Sequence, residues 1–150
     1  MRVDVRTIDD VLLSLGIFKV DFIKLDVEGA ELSVLRGATG LLQGPSRPAI
    51  LAEVQDLRTH PWGYAARDIF EFLVRMNYRW FSLAPDSSLT PIATNLDFYD
   101  ANLVALPSER VREFRSILER SRVAPPHAAS PSHRNRGIEI LKSMVRVRQA

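Results

Sequence analysis

Lys24, Asp26 and Glu28 occupy every second position at the end of the strand-like run VDFIKLDVEG, and Glu53 closes an apolar run, AILAE. Successive side chains of an extended strand alternate faces, so the three charges share one side while Ile23, Leu25 and Val27 take the other. If the two runs are neighbouring strands, Glu53 joins the same rim and three acids crowd above one lysine. Carboxylates crowded at a cleft have perturbed proton affinities, and can accept a proton, hold ligand hydroxyls or bind a hard cation. A structural network is the other reading: a buried Lys24 neutralised by Asp26 or Glu53, with Glu28 set against the positive N-terminal end of the following helix. That network leaves at least one acid without a partner.

The elements that must position these groups follow from periodicity. RVDVR alternates as a short strand, and TIDDVLLSLG reads as a helix with Thr7 as N-cap, Asp10 in capping-box position and Gly16 as the stop. VDFIKLDV is a second strand and GAELSVLRGA a helix with Leu32 and Leu35 on one face, closed by TGLLQGPSRP. AILAEV, apolar nearly throughout, suits a parallel strand covered on both sides. After the loop QDLRTHPWGY comes a helix in ARDIFEFLVRMN, where Ile69, Phe72, Leu73 and Met76 fall at i, i+3, i+4 and i+7. YRWFSL is a fourth strand, and the polar loop APDSSLTPIATNLDFYD leads to a fifth, ANLVALP.

Strands alternating with helices predict an α/β fold: an open, mostly parallel sheet with right-handed crossovers and helices on both faces. No helix separates the last two strands, so one of them should be antiparallel at the edge. Residues 1–107 form this domain. Residues 108–150 form a basic tail: an amphipathic helix in SERVREFRSILERSR, a Pro/Ser-rich linker in VAPPHAASPSHRNRG that carries His127 and His133, and a final helix in IEILKSMVRVRQ.

Composition narrows the function classes. With no cysteine among 150 residues, disulfides, thiolate metal sites and cysteine nucleophiles are excluded, which fits a reducing cytoplasm, the expected location. The start MRVDVRTIDD lacks the apolar core of a signal peptide, and no apolar run approaches the about 20 residues that span a bilayer, so no membrane partner is expected. Residues 1–107 hold 10 Lys/Arg against 14 Asp/Glu, and residues 108–150 hold 10 against 4. The tail's arginines lack interleaved aromatics, so a solvated basic end is expected rather than a nucleic-acid partner.

The run DFIKLDVEGAELSVLRGA, with VRTIDDVL before it and PAILAEV after it, resembles the FkbM family of S-adenosylmethionine-dependent methyltransferases over residues 3 to about 107. The resemblance implies a partial Rossmann-like methyltransferase sheet with a final antiparallel strand, and S-adenosylmethionine as cofactor. It further implies O-methylation of a hydroxyl on a small-molecule acceptor such as a sugar or polyketide. By position it places Asp26 and Glu28 where donor meets acceptor, Asp26 also toward the cofactor, with Glu53 beside them as a third catalytic acid and Lys24 on the acceptor side. The seven glycines form no GxGxG of the kind that lets backbone approach a donor, and the chain opens at the family's third strand. It is therefore expected to be a C-terminal portion with an exposed sheet edge, through which copies could associate. The rival expectation is a non-catalytic α/β remnant or interaction domain whose acidic rim is structural.

Among other candidates, His60, with Trp62 and Tyr64 in THPWGY, lies on the loop where an acceptor pocket would form, as a substrate contact or base, or simply as loop packing. Asp9 and Asp10 are accounted for as helix-starting residues. No His/Asp/Glu spacing matches a known ligand set, so no metal is expected, and no G-x-S-x-G supports serine hydrolysis.

Overall fold

The computed structural model describes residues 4–94 and 96–123, the side chains of 121–123 excepted. The first element is helix α1 (Ile8–Ser14), whose N-cap Thr7 accepts the Asp10 amide at 3.0 Å, as the capping pattern predicts. Strand β1 (Phe22–Leu25) leads into α2 (Glu31–Arg36), which buries Leu32 and Leu35, and then into a second short helix, α3 (Thr39–Gln43), where the sequence suggested a loop. The N-terminus of α3 is held by Asp9, whose carboxylate accepts the Gly40 and Leu41 amides at 2.7 and 3.0 Å.

Strand β2 (Ala49–Gln55) is followed by α4 (Asp56–Thr59), a single 3-10 turn at His60–Trp62, and α5 (Ala66–Arg75). The stripe that α5 buries is turned from the one expected, with Phe72 and Met76 only half-buried. Its fully buried residues are Ala66, Ile69, Phe70 and Leu73, at i, i+3, i+4 and i+7, and Phe70 packs between the tilted rings of Trp80 and Tyr99 with centroids 4.5 and 4.4 Å away. Strand β3 (Tyr78–Leu83) matches the predicted run. The supposed polar loop then supplies a three-residue strand, β4 (Leu89–Pro91), before β5 (Asp100–Pro107) and α6 (Val111–Val123).

The sheet order is β1-β2-β5-β3-β4, and this corrects the expectation of a mostly parallel sheet: among the described residues only β1 and β2 pair in parallel. Helical crossovers carry the chain from β1 to β2 and from β2 to β3, but the second crossover leaves a gap one strand wide. The return from β4 has no helix, so β5 enters that gap running the opposite way. It pairs six residues with β2 and five with β3, so the last long strand lies inside the sheet, and the antiparallel strand at the edge is the short β4. The RVDVR strand is a second correction. Its described part, Asp4–Arg6, has no strand partner, and Val5 is 90% exposed, since alternation over so few residues supplies no ladder.

Helices do cover both faces. On one, Ile50, Ala52, Val54, Leu103 and Ala105 pack beneath α2, α3 and α5; on the other, Leu51, Phe81, Val104 and Leu106 meet Val111, Phe114 and Leu118 of α6. The amphipathic helix expected at the start of the tail is thus packed on the sheet. The expected linker with its two histidines, and the final helix, lie outside the described residues. Strand β1 forms one edge of the sheet, and near it in sequence Leu13, Leu15 and Phe18 are exposed at 72, 65 and 81%. Among the described residues no helix is long and apolar enough to cross a membrane.

Candidate active site

The parallel register aligns Leu25 with Ala52, so one step further Asp26 stands beside Glu53 at the carboxyl ends of β1 and β2. Antiparallel pairing sets Asn102 of β5 directly across from Glu53 on the same face. The row Asp26, Glu53, Asn102 therefore prolongs the face that α6 covers at Leu51 and Val104, beyond that helix's reach. That is why these polar residues are open or half-open to solvent within a buried sheet. Ligands of open α/β sheets bind at this end of the strands.

Glu28 arrives by a different route than alternation suggested, because the strand stops at Leu25. Residues 27–30 form a tight turn closed by the Ala30 amide donating to the Val27 carbonyl, with Glu28 at φ 54° and Gly29 at φ 100°. A side chain at Gly29 would overlap the Arg58 carbonyl and stand 2.7 Å from the Trp62 ring, so the turn requires glycine there. The turn brings Glu28 back over the strand ends, and carboxylate oxygens of Asp26, Glu28 and Glu53 lie within 4.8 Å of one another, close enough to share a proton or a cation.

Two cations flank this cluster. Lys24 donates to Asp26, and Arg58 of α4 pairs with Glu28 at 3.2 Å. Lys24 is not the buried lysine of the structural reading: its side chain is 43% exposed, because β1 is an edge strand and α6 does not reach it. Glu28 likewise leaves the helix end to Glu31, which bonds the Val27 and Gly29 amides.

The hydrogen bond from Lys24 holds the Asp26 carboxyl below the usual carboxylate range, with Glu53 also contributing. Partial burial pushes the Glu53 carboxyl up, and the adjacent Asp26 and Glu28 charges push it further. The proton affinities of two neighbouring carboxyls are thereby driven apart, Asp26 becoming the weaker base and Glu53 the stronger.

His60 stands apart from the cluster. It lies on the 3-10 turn, two-thirds exposed, with Nε2 3.9 Å from Asp56. Its neighbours Trp62 and Tyr64 do reach the acid-bearing turn, donating to the Glu28 and Gly29 carbonyls. Sequence reasoning missed Arg58, Asn102 and Asp56. Buried Asp56 accepts the Ala66 and Tyr99 amides at 2.9 and 2.8 Å, fastening the end of β2 to α5 and to the start of β5. An acid directly after a strand and ten residues before a helix start was the one available signal.

No curated protein and no solved structure matches the chain. The family model of the methyltransferase FkbM domain matches residues 1–80, a span that holds β1, the acid-bearing turn, β2 and α5. Those 80 residues are more than half of the 150, and the chain belongs to the FkbM methyltransferase family.

Proposed function

We propose that the rim of Asp26, Glu28 and Glu53 is the acceptor side of an S-adenosylmethionine-dependent O-methyl-transfer site. The observation that carries this reading is the pair of carboxyls at adjacent parallel strand ends, Asp26 held ionised by Lys24 and Glu53 pushed up beside it, in a chain of a methyltransferase family. S-adenosylmethionine, when bound, supplies a methyl group on a positively charged sulfur. Three carboxylates against Lys24 and Arg58 leave the rim with an excess of negative charge that suits this sulfonium end. Asp26 and Glu28 would face it; the adenosine is not assigned to residues of this chain.

On the acceptor side, Glu53 in its carboxylate form would take the hydroxyl proton as the oxygen bonds to the methyl carbon and the bond from that carbon to sulfur breaks, its electron pair leaving with sulfur as a neutral thioether. Asp26, fixed by Lys24, orients the same hydroxyl. Asn102, across from Glu53, offers a neutral amide to a second acceptor oxygen. Alignment of the attacking oxygen and general-base assistance are the two contributions expected of these residues. An acceptor of the sugar or polyketide class carries hydroxyls suited to such a rim. The second reading, a structural acid cluster in a non-catalytic domain, draws on the pairing of Asp26 with Lys24 and of Glu28 with Arg58.

Calorimetric titration with S-adenosylmethionine and a methyl-transfer assay of Glu53→Gln separate the two. Donor binding, with turnover lowered by about a hundredfold or more in a folded variant, supports the site. Unchanged turnover in the presence of Glu53→Gln would leave the structural cluster as the better account.

A further inference from the structure

The turn that carries Glu28 is in a backbone conformation that side chains with a Cβ rarely adopt, and it is held from outside by three residues. Glu31 accepts the Val27 and Gly29 amides, both at 3.2 Å, through one carboxylate oxygen. The Tyr64 hydroxyl donates to the Gly29 carbonyl, accepts the Leu32 amide at 3.3 Å, and lies 3.5 Å from the other Glu31 oxygen. Trp62 Nε1 donates to the Glu28 carbonyl at 3.3 Å. Glu31 is only 3% exposed, so its carboxylate is committed to the turn rather than to solvent. Left-handed φ at Glu28 is costly for a residue with a Cβ, and persists where surrounding contacts over-determine it.

These bonds span a turn that begins one residue after Asp26. Val27 N is fixed by Glu31, so the direction in which Asp26 leaves β1 is fixed with it. The Glu28 carboxylate swings over the strand ends only while the turn stays left-handed. We propose that Glu31 and Tyr64 are positioning residues: their bonds to the 27–29 backbone hold Asp26 and Glu28 against Glu53. The same bonds tie the turn to the segment after β2, so that the acids of two strands move as one unit. The proposal deepens the methyl-transfer reading and rests on it for its kinetic consequence alone.

The test compares Glu31→Ala, Glu31→Gln and Tyr64→Phe with the parent chain. In Glu31→Ala the Val27 and Gly29 amides should lose protection from hydrogen exchange by about tenfold or more. In the same variant, carboxyl-resolved NMR titration should return Asp26 and Glu53 toward ordinary behaviour. Turnover should fall about tenfold or more while the acceptor KM changes less than about threefold, the split of a group that orders reacting atoms without touching substrate. Glu31→Gln keeps an acceptor oxygen in place and should restore most of each property. If Glu31→Ala does not fold, Tyr64→Phe, which deletes one hydroxyl, carries the same comparison at smaller size. Release of the turn amides with the Asp26 and Glu53 titrations unmoved overturns the proposal. Absence of methyl transfer in the parent protein contradicts the functional reading, while the titration still decides the positioning role.

Discussion

The two ends of the sheet use charge in opposite ways. At the amino end, Arg47 is 13% exposed and saturated: it donates to the Leu42 and Met76 carbonyls, pairs with Glu109 at 3.0 Å and lies over the Tyr78 ring at 4.6 Å. Arg110 adds a bond to the Arg47 carbonyl and a fork onto Glu113, and burial pushes the Tyr78 hydroxyl, which donates to the Pro48 carbonyl, up to about 12. Arg47 and Arg110 each have an acidic partner there, and they bond carbonyls at the ends of α3 and α5 and just before β2. At the carboxyl end, three acids share two flanking cations, Glu53 retains no basic hydrogen-bond partner among the described residues, and the backbone turn is left-handed. Paired charges at one end stabilise; crowded like charges at the other cost stability and create proton affinities that differ from the ordinary ones.

The sharpest way to break this contrast is to exchange the two kinds of damage. Asp26→Asn and Glu28→Gln should each lower methyl-transfer turnover by about a hundredfold or more while leaving the melting temperature within a few degrees. A large loss of melting temperature with turnover per folded molecule intact would make the rim structural. Arg47→Ala should do the reverse, costing about 2 kcal/mol of stability by stripping two carbonyls and a carboxylate of their donor, with turnover per folded molecule unchanged. Denaturant unfolding alongside the assay checks both halves. Smaller, Asp56→Ala should cost about 1–2 kcal/mol, since it orphans two buried amides, and should expose the start of α5 to hydrogen exchange.

The smallest expected effect is a pH dependence. A carboxyl raised in the folded state binds its proton more tightly there than in the unfolded chain. Its contribution to stability is therefore full below the ordinary value of 4.5 and is lost as pH rises through the raised value. Asp26, lowered, contributes above its ordinary value of 3.8 and loses that contribution as pH falls. Glu53→Gln should therefore gain in melting temperature relative to the parent as pH rises from about 4.5 toward neutrality. An advantage independent of pH would show that folding does not raise the Glu53 carboxyl.

The contrast between the ends was only partly legible in the sequence. Strand and helix periods located β1, β2, β3, β5 and α5, and the adjacency of VDFIKLDV and AILAEV was enough to bring Asp26 beside Glu53. Strand order was not legible, because the slot that β5 fills between β2 and β3 is set by pairings about fifty and twenty-five residues apart with no local signature. That one insertion hid Asn102, the neighbour of Glu53. Phe70 was missed because the helical stripe was read from Ile69, whereas the buried one starts at Ala66 and places Phe70 at i+4. Glu31 stood in plain view in the acidic string, yet its task is to bond backbone amides two and four residues before it, which only the folded turn reveals.

Asp26 and Glu53 shift each other's proton affinity, and a carboxyl-resolved 13C NMR titration of the chain observes this directly. The expected result is Glu53 titrating above 4.5 and Asp26 below 3.8, with the Glu53 curve moving down in Asp26→Asn. Two independent curves at the ordinary values, unaffected by that substitution, would contradict it.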